Sequence, residues 1–391
     1  DVYKRQIFDI DLIIKKMQRN KERKPADINL LFIEEPEAHT HPQMQYVFIK
    51  NIKELLKQGI LHKDGISRKL QYIVSSHSAH IVADCDFNDI KYMVHSQKNG
   101  IFEKNSVISK NMKDLQKEYE GDAEYKQYFA FLKQYLTLNR SELFFADKAI
   151  FIEGDTERIL LPAMMKMIDE EHEPEENENY LLSQNVSIIE VGAYSHIFEK
   201  FMRFIGLRKC LIITDLDCCK PVEKTDKNGR KTTKYEKAPY DVTDDNMVTS
   251  NASIKSFLKI SSIKDILSDV PVKLSWDDAA ICWKRNNNGN LMIAFQYGKN
   301  GAYQPRSFED AFFSENKEFI TSNSFSSLDP ECVEKFQEDN NPYELAQNGV
   351  NGKSSLAIEI LLHGNTETNP ENGHWNIPNY IKEGLLWLRK D

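Results

Sequence analysis

Apolar runs that close on charge recur along this chain, and their spacing predicts its elements. Residues 27–35 (DINLLFIEE) are apolar through the middle and end on two acids, the pattern of a buried strand. Residues 42–58 (PQMQYVFIKNIKELLKQ) carry a helical period, with Pro42 in the first turn where its missing N–H costs nothing. Residues 70–78 (LQYIVSSHS) are a second buried strand opening into a polar turn, and residues 90–109 read as a hairpin about Asn99-Gly100. From 110 to 145 the chain is charged and helical. A new strand opens over 147–154 (DKAIFIEG), followed by a helix (TERILLPAMMKMIDEE). Further strands are predicted at 186–193 (VSIIEVGA) and 209–217 (KCLIITDLD), with a helix over 195–207 between them. Such strand–helix alternation predicts parallel sheets in an α/β fold. Residues 218–251 are polar and lysine-rich and read as an insertion loop, and the last third has weaker periodicity.

A length of 391 residues exceeds one ordinary core, so two domains are expected. No apolar run approaches the roughly 18 residues a membrane helix needs, and no membrane association is expected. The lysine-rich N-terminus is no signal peptide and has no initiating Met, which suggests a fragment whose start is missing. Six scattered cysteines without a CxxC pair read as reduced thiols in a cytoplasmic protein. A net charge of −9 argues against coating nucleic acid through bulk charge. It leaves room for an enzyme that holds DNA through metals and local basic patches.

Two constellations carry chemistry. In the first, LLFIEEPEAHTHPQ puts Glu34 and Glu35 at a strand's C-terminal end, where parallel sheets bind ligands. One carboxylate there can hold Mg²⁺ and the next can orient an attacking water. IVSSHS then sets His77 at the end of another strand, within reach of a γ-phosphate. This order resembles the second half of an ATP-binding cassette core. No GxxxxGK[ST] loop accompanies it, and NGVNGKSS (348–355) has its glycines misplaced. His39 and His41 read as polar surface rather than a metal pair.

In the second, Glu153 ends one predicted strand and Asp215 and Asp217 end another. Residues two apart on a strand point the same way, so these two acids are expected to face one site. Glu157 follows on the first turn of the next helix. Carboxylates gathered at one sheet edge repel, and one or two Mg²⁺ or Mn²⁺ ions would neutralise them. Two such metals serve in-line phosphodiester cleavage.

The run LFFADKAIFIEGDTERILLP, then IIEVGAY, then LIITDLD resembles the Toprim domain of the OLD (overcoming lysogenisation defect) family of nucleases. LLFIEEPEAHTHPQ with IVSSHSAHI resembles the ATPase domain that precedes Toprim in that family. The resemblance implies the C-terminal part of an ABC-type ATPase domain over 1–105, a helical connector over 106–145, and a Toprim nuclease domain over 146–391 with an insertion near 218–251. It implies a metal-dependent DNA endonuclease regulated by an ATPase domain and used in phage defence, in a homodimer or larger assembly and with a possible partner protein. Glu34 then matches the Mg²⁺-binding acid of the ATPase, Glu35 its catalytic acid and His77 its switch histidine. Glu153 is the metal acid that also moves protons, Asp215 and Asp217 are metal ligands, and Glu157 serves a second metal. The family's later acidic motif falls on RSFEDAFF, at Glu309 or Asp310, a run that could equally be a helix start capped by Ser307. Its later lysine falls on Lys353, which would stabilise charge developing on the phosphate. The lysine-rich 220–237 stretch reads equally as a DNA contact or a solvated loop. Two other readings remain: a non-catalytic ATP-sensing scaffold, and a topoisomerase- or primase-like Toprim enzyme.

Overall fold

A computed structural model describes residues 9–13, 16, 28–38, 41–57, 60–61, 67–68, 70–98, 101–121, 123–138, 140–225, 231–298, 303–364 and 373–390. His39, the Asn99-Gly100 turn, most of residues 1–27 and the 226–230 tip of the lysine-rich stretch lie outside the described residues. Contacts divide the chain into two units, residues 1–145 with 203–206, and residues 146–202 with 207–391. Among the described residues no helix is long and apolar enough to cross a membrane.

In the first unit, β1 (Asn29–Glu34) lies parallel to β2 (Leu70–Ser75), in register from Asn29–Leu70 to Glu34–Ser75. A parallel pair needs a crossover, and α1 (Pro42–Lys57) supplies it. The two strand ends therefore share one edge. α2 (Ala79–Asp84) follows, capped by Ser78, whose Oγ accepts the Ile81 N–H. Leu31, Ile49, Ile52, Leu70 and Ile81 form a small core. β3 (Lys91–Lys98) and β4 (Ile101–Asn111) pair antiparallel, the predicted hairpin. The chain becomes helical only after Asn111, which ends β4 and caps α3 (Met112–Glu120); α4 (Ala123–Leu138) follows. Phe87 meets Phe129 edge-on at 5.7 Å beneath these helices.

The second unit is built on a six-stranded sheet. Its members are β5 (Lys148–Ile152), β6 (Val186–Glu190), β7 (Lys209–Ile213), β11 (Val272–Asp277), β12 (Cys282–Arg285) and β13 (Leu291–Ala294), in the order β12-β11-β13-β7-β5-β6. β13, β7, β5 and β6 are parallel, and β11 and β12 extend the sheet antiparallel. Every position of β5 is buried, as a strand covered on both faces requires. That includes Lys148, whose ammonium donates to Gln184 Oε1 at 2.7 Å and to the Leu388 and Lys390 carbonyls at 2.9 Å. Burial of such a charge is tolerable only with its donors used.

α5 (Asp155–Glu171) and α6 (Glu199–Ile205) connect the parallel strands. A short sheet of β8 (Cys218–Thr225), β9 (Lys231–Lys237) and β10 (Val248–Thr249) comes next, then α7 (Ala252–Leu258). α8 (Phe308–Glu315), α9 (Lys353–His363) and α10 (Asn379–Arg389) complete the core. Leu160, Leu161 and Met164 of α5 pack there with Leu211, Phe312, Leu356, Ile360 and Leu385. α10 lies so close to the sheet that a Cβ on Gly384 would stand 2.9 Å from the Leu211 side chain.

Two expectations are corrected. The helix expected over 195–207 is a 3-10 segment over 192–198, bent at Ala193 and Tyr194, that leads into α6. Gly192, at φ +59°, sets that entry. The lysine-rich stretch is no loop, because β8 and β9 pair from Cys219–Lys237 to Thr225–Lys231. Val222, Thr232, Thr233 and Tyr235 supply the strand preference that the lysines obscured.

Candidate functional site

The parallel strands β5, β7 and β13 are neighbours in the sheet, and the candidate residues lie just past their ends. Glu153 follows β5. Its Oε1 accepts from the Thr214 hydroxyl, from the Asp215 N–H at 3.1 Å and from Asn251 Nδ2 at 2.8 Å. Oε2 takes no hydrogen bond from any described residue. Asn251 also donates to the Asp215 carbonyl at 3.0 Å, and its Oδ1 caps α7 by accepting the Ile254 N–H at 3.1 Å.

Asp215 and Asp217 are not strand residues, which corrects the alternation argument. β7 ends at Ile213, and the last sheet-like bond runs from Thr214 N–H to the Ala294 carbonyl at 3.0 Å. Beyond it the backbone donors are satisfied by other groups. The Leu216 N–H goes to Gln296 Oε1 at 2.8 Å and the Asp217 N–H to the Arg306 carbonyl at 3.1 Å. Asp217 itself is left-handed, at φ +50°, a conformation costly for most residues but tolerated by Asp. A braced turn thus positions the two acids. Asp215 Oδ1 accepts from Gln296 Nε2 at 2.7 Å, and Asp217 Oδ1 from Arg306 Nη2 at 2.9 Å.

Glu157, in the first turn of α5, is 5% exposed, and its Oε2 accepts the Gly154 N–H at 3.2 Å. That bond anchors the helix start, and an acid there also suits the helix dipole. Glu309, in the first turn of α8, is buried and pairs with Lys353 Nζ at 3.0 Å; Lys353 opens α9. Asp310 is turned elsewhere: Oδ2 accepts the Arg306 N–H at 2.9 Å and Oδ1 the Tyr303 hydroxyl at 2.6 Å. The structure therefore separates the two candidates of the later acidic motif. Glu309 stands with the lysine, and Asp310 braces the 303–307 segment, with Ser307 capping α8 as one alternative predicted.

Burial drives the electrostatics. It pushes Asp215 well above the carboxylate range, and repulsion from Glu153, Glu157, Glu309 and Asp217 pushes the same way. Burial likewise raises Glu153, against the hydrogen bonds from Thr214, Asp215 and Asn251. Glu157 is pushed up to about 8, first by burial and then by Glu309 and Glu153. Asp217 is raised by burial although Arg306, Lys237 and Lys353 oppose it. For Lys353, burial disfavours the charge, but Glu309, Asp215 and Glu157 outweigh it and hold the ammonium above its ordinary range.

These groups suit a hard divalent cation in donor chemistry: all are carboxylate oxygens, and a cation relieves the repulsion that burial imposes. Among the described residues no three His, Cys, Asp or Glu side chains stand in a ready-made ligand cage. Internal cations already engage two of the acids, Arg306 on Asp217 and Lys353 on Glu309. Thr214, Asn251, Gln296 and Arg306 were missed in the sequence. Gln296 had a signal, since it lies just past a buried apolar run (LMIAFQ), as Asp215 does.

The first unit's candidates are sparser. Glu34 is exposed at the end of β1. Glu35 follows at φ +40°, and its N–H bonds to the Ser75 carbonyl at 3.0 Å. His77 Nε2 lies 3.3 Å from Glu35 Oε1, with both side chains at least half exposed. Glu37, another residue missed in the sequence, ties the turn by accepting from Ser76 Oγ at 2.8 Å and the His77 N–H at 2.6 Å.

Comparison with known proteins follows the same division. Residues 4–82 match the family model described as an AAA ATPase domain, and residues 144–217 the one described as the Toprim domain of overcoming lysogenization defect protein-like proteins. Endonuclease GajA of Bacillus cereus (strain HuB5-5) is 30% identical over 387 residues, covering 93% of this chain and 49% of GajA. The chain thus spans about half the length of that curated relative. The C-terminal region of the Burkholderia pseudomallei OLD protein is 16% identical, covering 63% of this chain and 98% of that one, with a TM-score of 0.29. The chain thus carries an AAA ATPase segment followed by an OLD-like Toprim segment, the combination that its sequence resemblance to the OLD family leads one to expect.

Proposed function

We propose that the chain forms the nuclease part of a metal-dependent DNA endonuclease under the control of its ATPase domain, acting in phage defence. One observation carries this reading: Glu153, Asp215 and Asp217 each use one carboxylate oxygen for positioning, while the other takes no hydrogen bond from any described residue. Oxygens held in place but left unengaged are what a cation site needs.

Glu153, Asp215, Asp217, Glu157 and Glu309 would hold one or two Mg²⁺ or Mn²⁺ ions. A bound ion would polarise the phosphodiester and lower the pKa of an attacking water. Glu153, whose proton affinity burial raises, is suited to hold or release a proton at Oε2. Lys353 places a charge opposite Glu309 that can turn to the phosphate as negative charge develops. Asn251, Thr214 and Gln296 fix the acids so that little reorganisation accompanies the reaction. Asp310 acts indirectly, through the 303–307 segment. In the first unit, Glu34 would hold Mg²⁺ with ATP, Glu35 would orient water and His77 would sense the γ-phosphate, in a homodimer or larger assembly. Cytoplasmic location and a partner protein belong to the same proposal.

Plasmid nicking by the purified chain with Mg²⁺ or Mn²⁺ tests it, beside Asp217→Ala and an EDTA control. Metal-dependent cutting that the variant loses is expected. Cutting by the variant at the wild-type rate would remove the assigned site. No cutting by folded, metal-loaded wild type would favour the scaffold reading.

A further inference from the structure

Arg306 is 5% exposed, and its bonds lead to Asp217. Its Nη2 donates to Asp217 Oδ1 at 2.9 Å, while its carbonyl accepts the Asp217 N–H at 3.1 Å. Its own N–H is held by Asp310, which Tyr303 braces in turn. The backbone around Arg306 is therefore fixed independently of its guanidinium. Arg306 Nε is buried and has no hydrogen-bond partner. A guanidinium keeps its charge at any working pH, and an unfilled buried donor is costly unless an acceptor arrives.

Resting on the nuclease reading, we propose that Arg306 is an internal counter-ion of Asp217, exchanged for a divalent cation as the site loads, and that the released guanidinium binds a phosphodiester oxygen of the DNA. Arg306 and the cation compete for one carboxylate: Arg306 holds Oδ1, and a cation entering at the unengaged Oδ2 would weaken that hold. With Arg306 in place Asp217 is neutralised, so the protein tolerates its acids without a full complement of metal. Once the cation takes Asp217, a planar donor fork with its Nε unused stands beside the metal. Such a fork suits a phosphate better than the single charge of a lysine does. Arg306 would thus couple metal loading to DNA engagement.

The test follows Mn²⁺ binding to the full chain by electron paramagnetic resonance, without DNA, for wild type, Arg306→Gln and Arg306→Lys. Cleavage at saturating Mn²⁺ is measured in parallel. Arg306→Gln is expected to bind its weaker Mn²⁺ about tenfold more tightly, the size of one lost charge-assisted bond, yet to cut roughly a hundredfold more slowly. Arg306→Lys should fall between wild type and Arg306→Gln in both readouts. A purely structural role would weaken metal binding and cleavage together, so the opposed directions distinguish the two. Unchanged or weaker Mn²⁺ binding in Arg306→Gln, while wild type binds and cuts, overturns this proposal alone. If wild type neither binds Mn²⁺ nor cuts, the nuclease reading falls and takes this one with it. Should Arg306→Gln fail to fold, Arg306→Lys carries the test, and Mn²⁺ affinity no higher than wild type overturns the proposal.

Discussion

At the end of β1, Glu35 meets His77 at 3.3 Å with both side chains largely in solvent. Past the ends of β5 and β7, Glu153 and Asp215 are held by Thr214, Asn251 and Gln296, and burial raises both acids. Both candidate sites put acids at the C-terminal edge of parallel strands. They differ in what the fold itself has invested. In the second unit the acids are desolvated and braced before any ligand arrives, so they are preorganised and costly. In the first unit the contact is exposed, and solvent screens it. Substitutions should therefore have unlike consequences in the two places.

The largest effect is expected on cleavage. Asp215→Asn keeps the shape but removes the charge, and should slow metal-dependent nicking by roughly a thousandfold. A retained rate under matched Mn²⁺ would show that the braced acids are not the reacting centre, and the contrast between the units would lose its functional meaning.

Next in size is stability. Asn251, 1% exposed, joins Glu153, the Thr214 hydroxyl, the Asp215 carbonyl and the first turn of α7. Asn251→Ala should cost about 3 kcal/mol, from buried groups left unpaired and a lost cap. Denaturant unfolding of the metal-free protein measures it. A cost under about 1 kcal/mol would mean that the brace contributes little to the fold.

The raised acids make a third, pH-dependent prediction. A carboxylate whose folded pKa lies above its unfolded value stabilises the fold below the unfolded pKa, and that stability is lost as pH rises through the folded pKa. For Glu157 the ordinary value is 4.5 and the folded one about 8. In EDTA, stability should therefore fall as pH rises from about 4.5 to about 8, by about 5 °C or more in Tm. Saturating Mn²⁺ should flatten the slope by holding the ionised acids, and Glu157→Gln should reduce it without metal. A Tm that rises over this interval in EDTA would contradict the assigned burial of Glu157.

How much of this was visible in the sequence follows from how each part is held. β5 and β7 announce themselves because buried parallel strands need unbroken apolar runs, and the acids after Ile152 and Ile213 mark their ends. Glu309 and Lys353 were found only through family resemblance; the fold joins them across 44 residues in a single ion pair. Asp217 misled the alternation rule because the sheet ends at Ile213, and a left-handed turn bonded to Arg306 takes over. Such a turn depends on partners 80 or more residues away, Gln296 and Arg306, which no local pattern encodes. The β8–β9 pair was hidden for a different reason: its lysines are interspersed among strand-forming residues, and their charge outweighed the pattern.

The smallest predicted effect gives the sharpest contrast. Exposed ion pairs contribute about 0–1 kcal/mol, and the turn that carries His77 is fixed by Glu37 through the Ser76 hydroxyl and the His77 N–H rather than by the imidazole. Glu35→Gln and His77→Ala should therefore each change unfolding stability by less than about 0.5 kcal/mol. Glu37→Ala, which removes both anchors, should cost more than either. If His77→Ala destabilised the protein as much as Asn251→Ala, the contact at the end of β1 would be a structural brace like the one around Glu153, and the difference between the two sites would lie in their chemistry alone. If Glu35, His77 and Glu37 separate as expected, Glu35 and His77, the residues proposed to face a nucleotide, can be altered without disturbing the fold around them, which the acids past β5 and β7 do not permit.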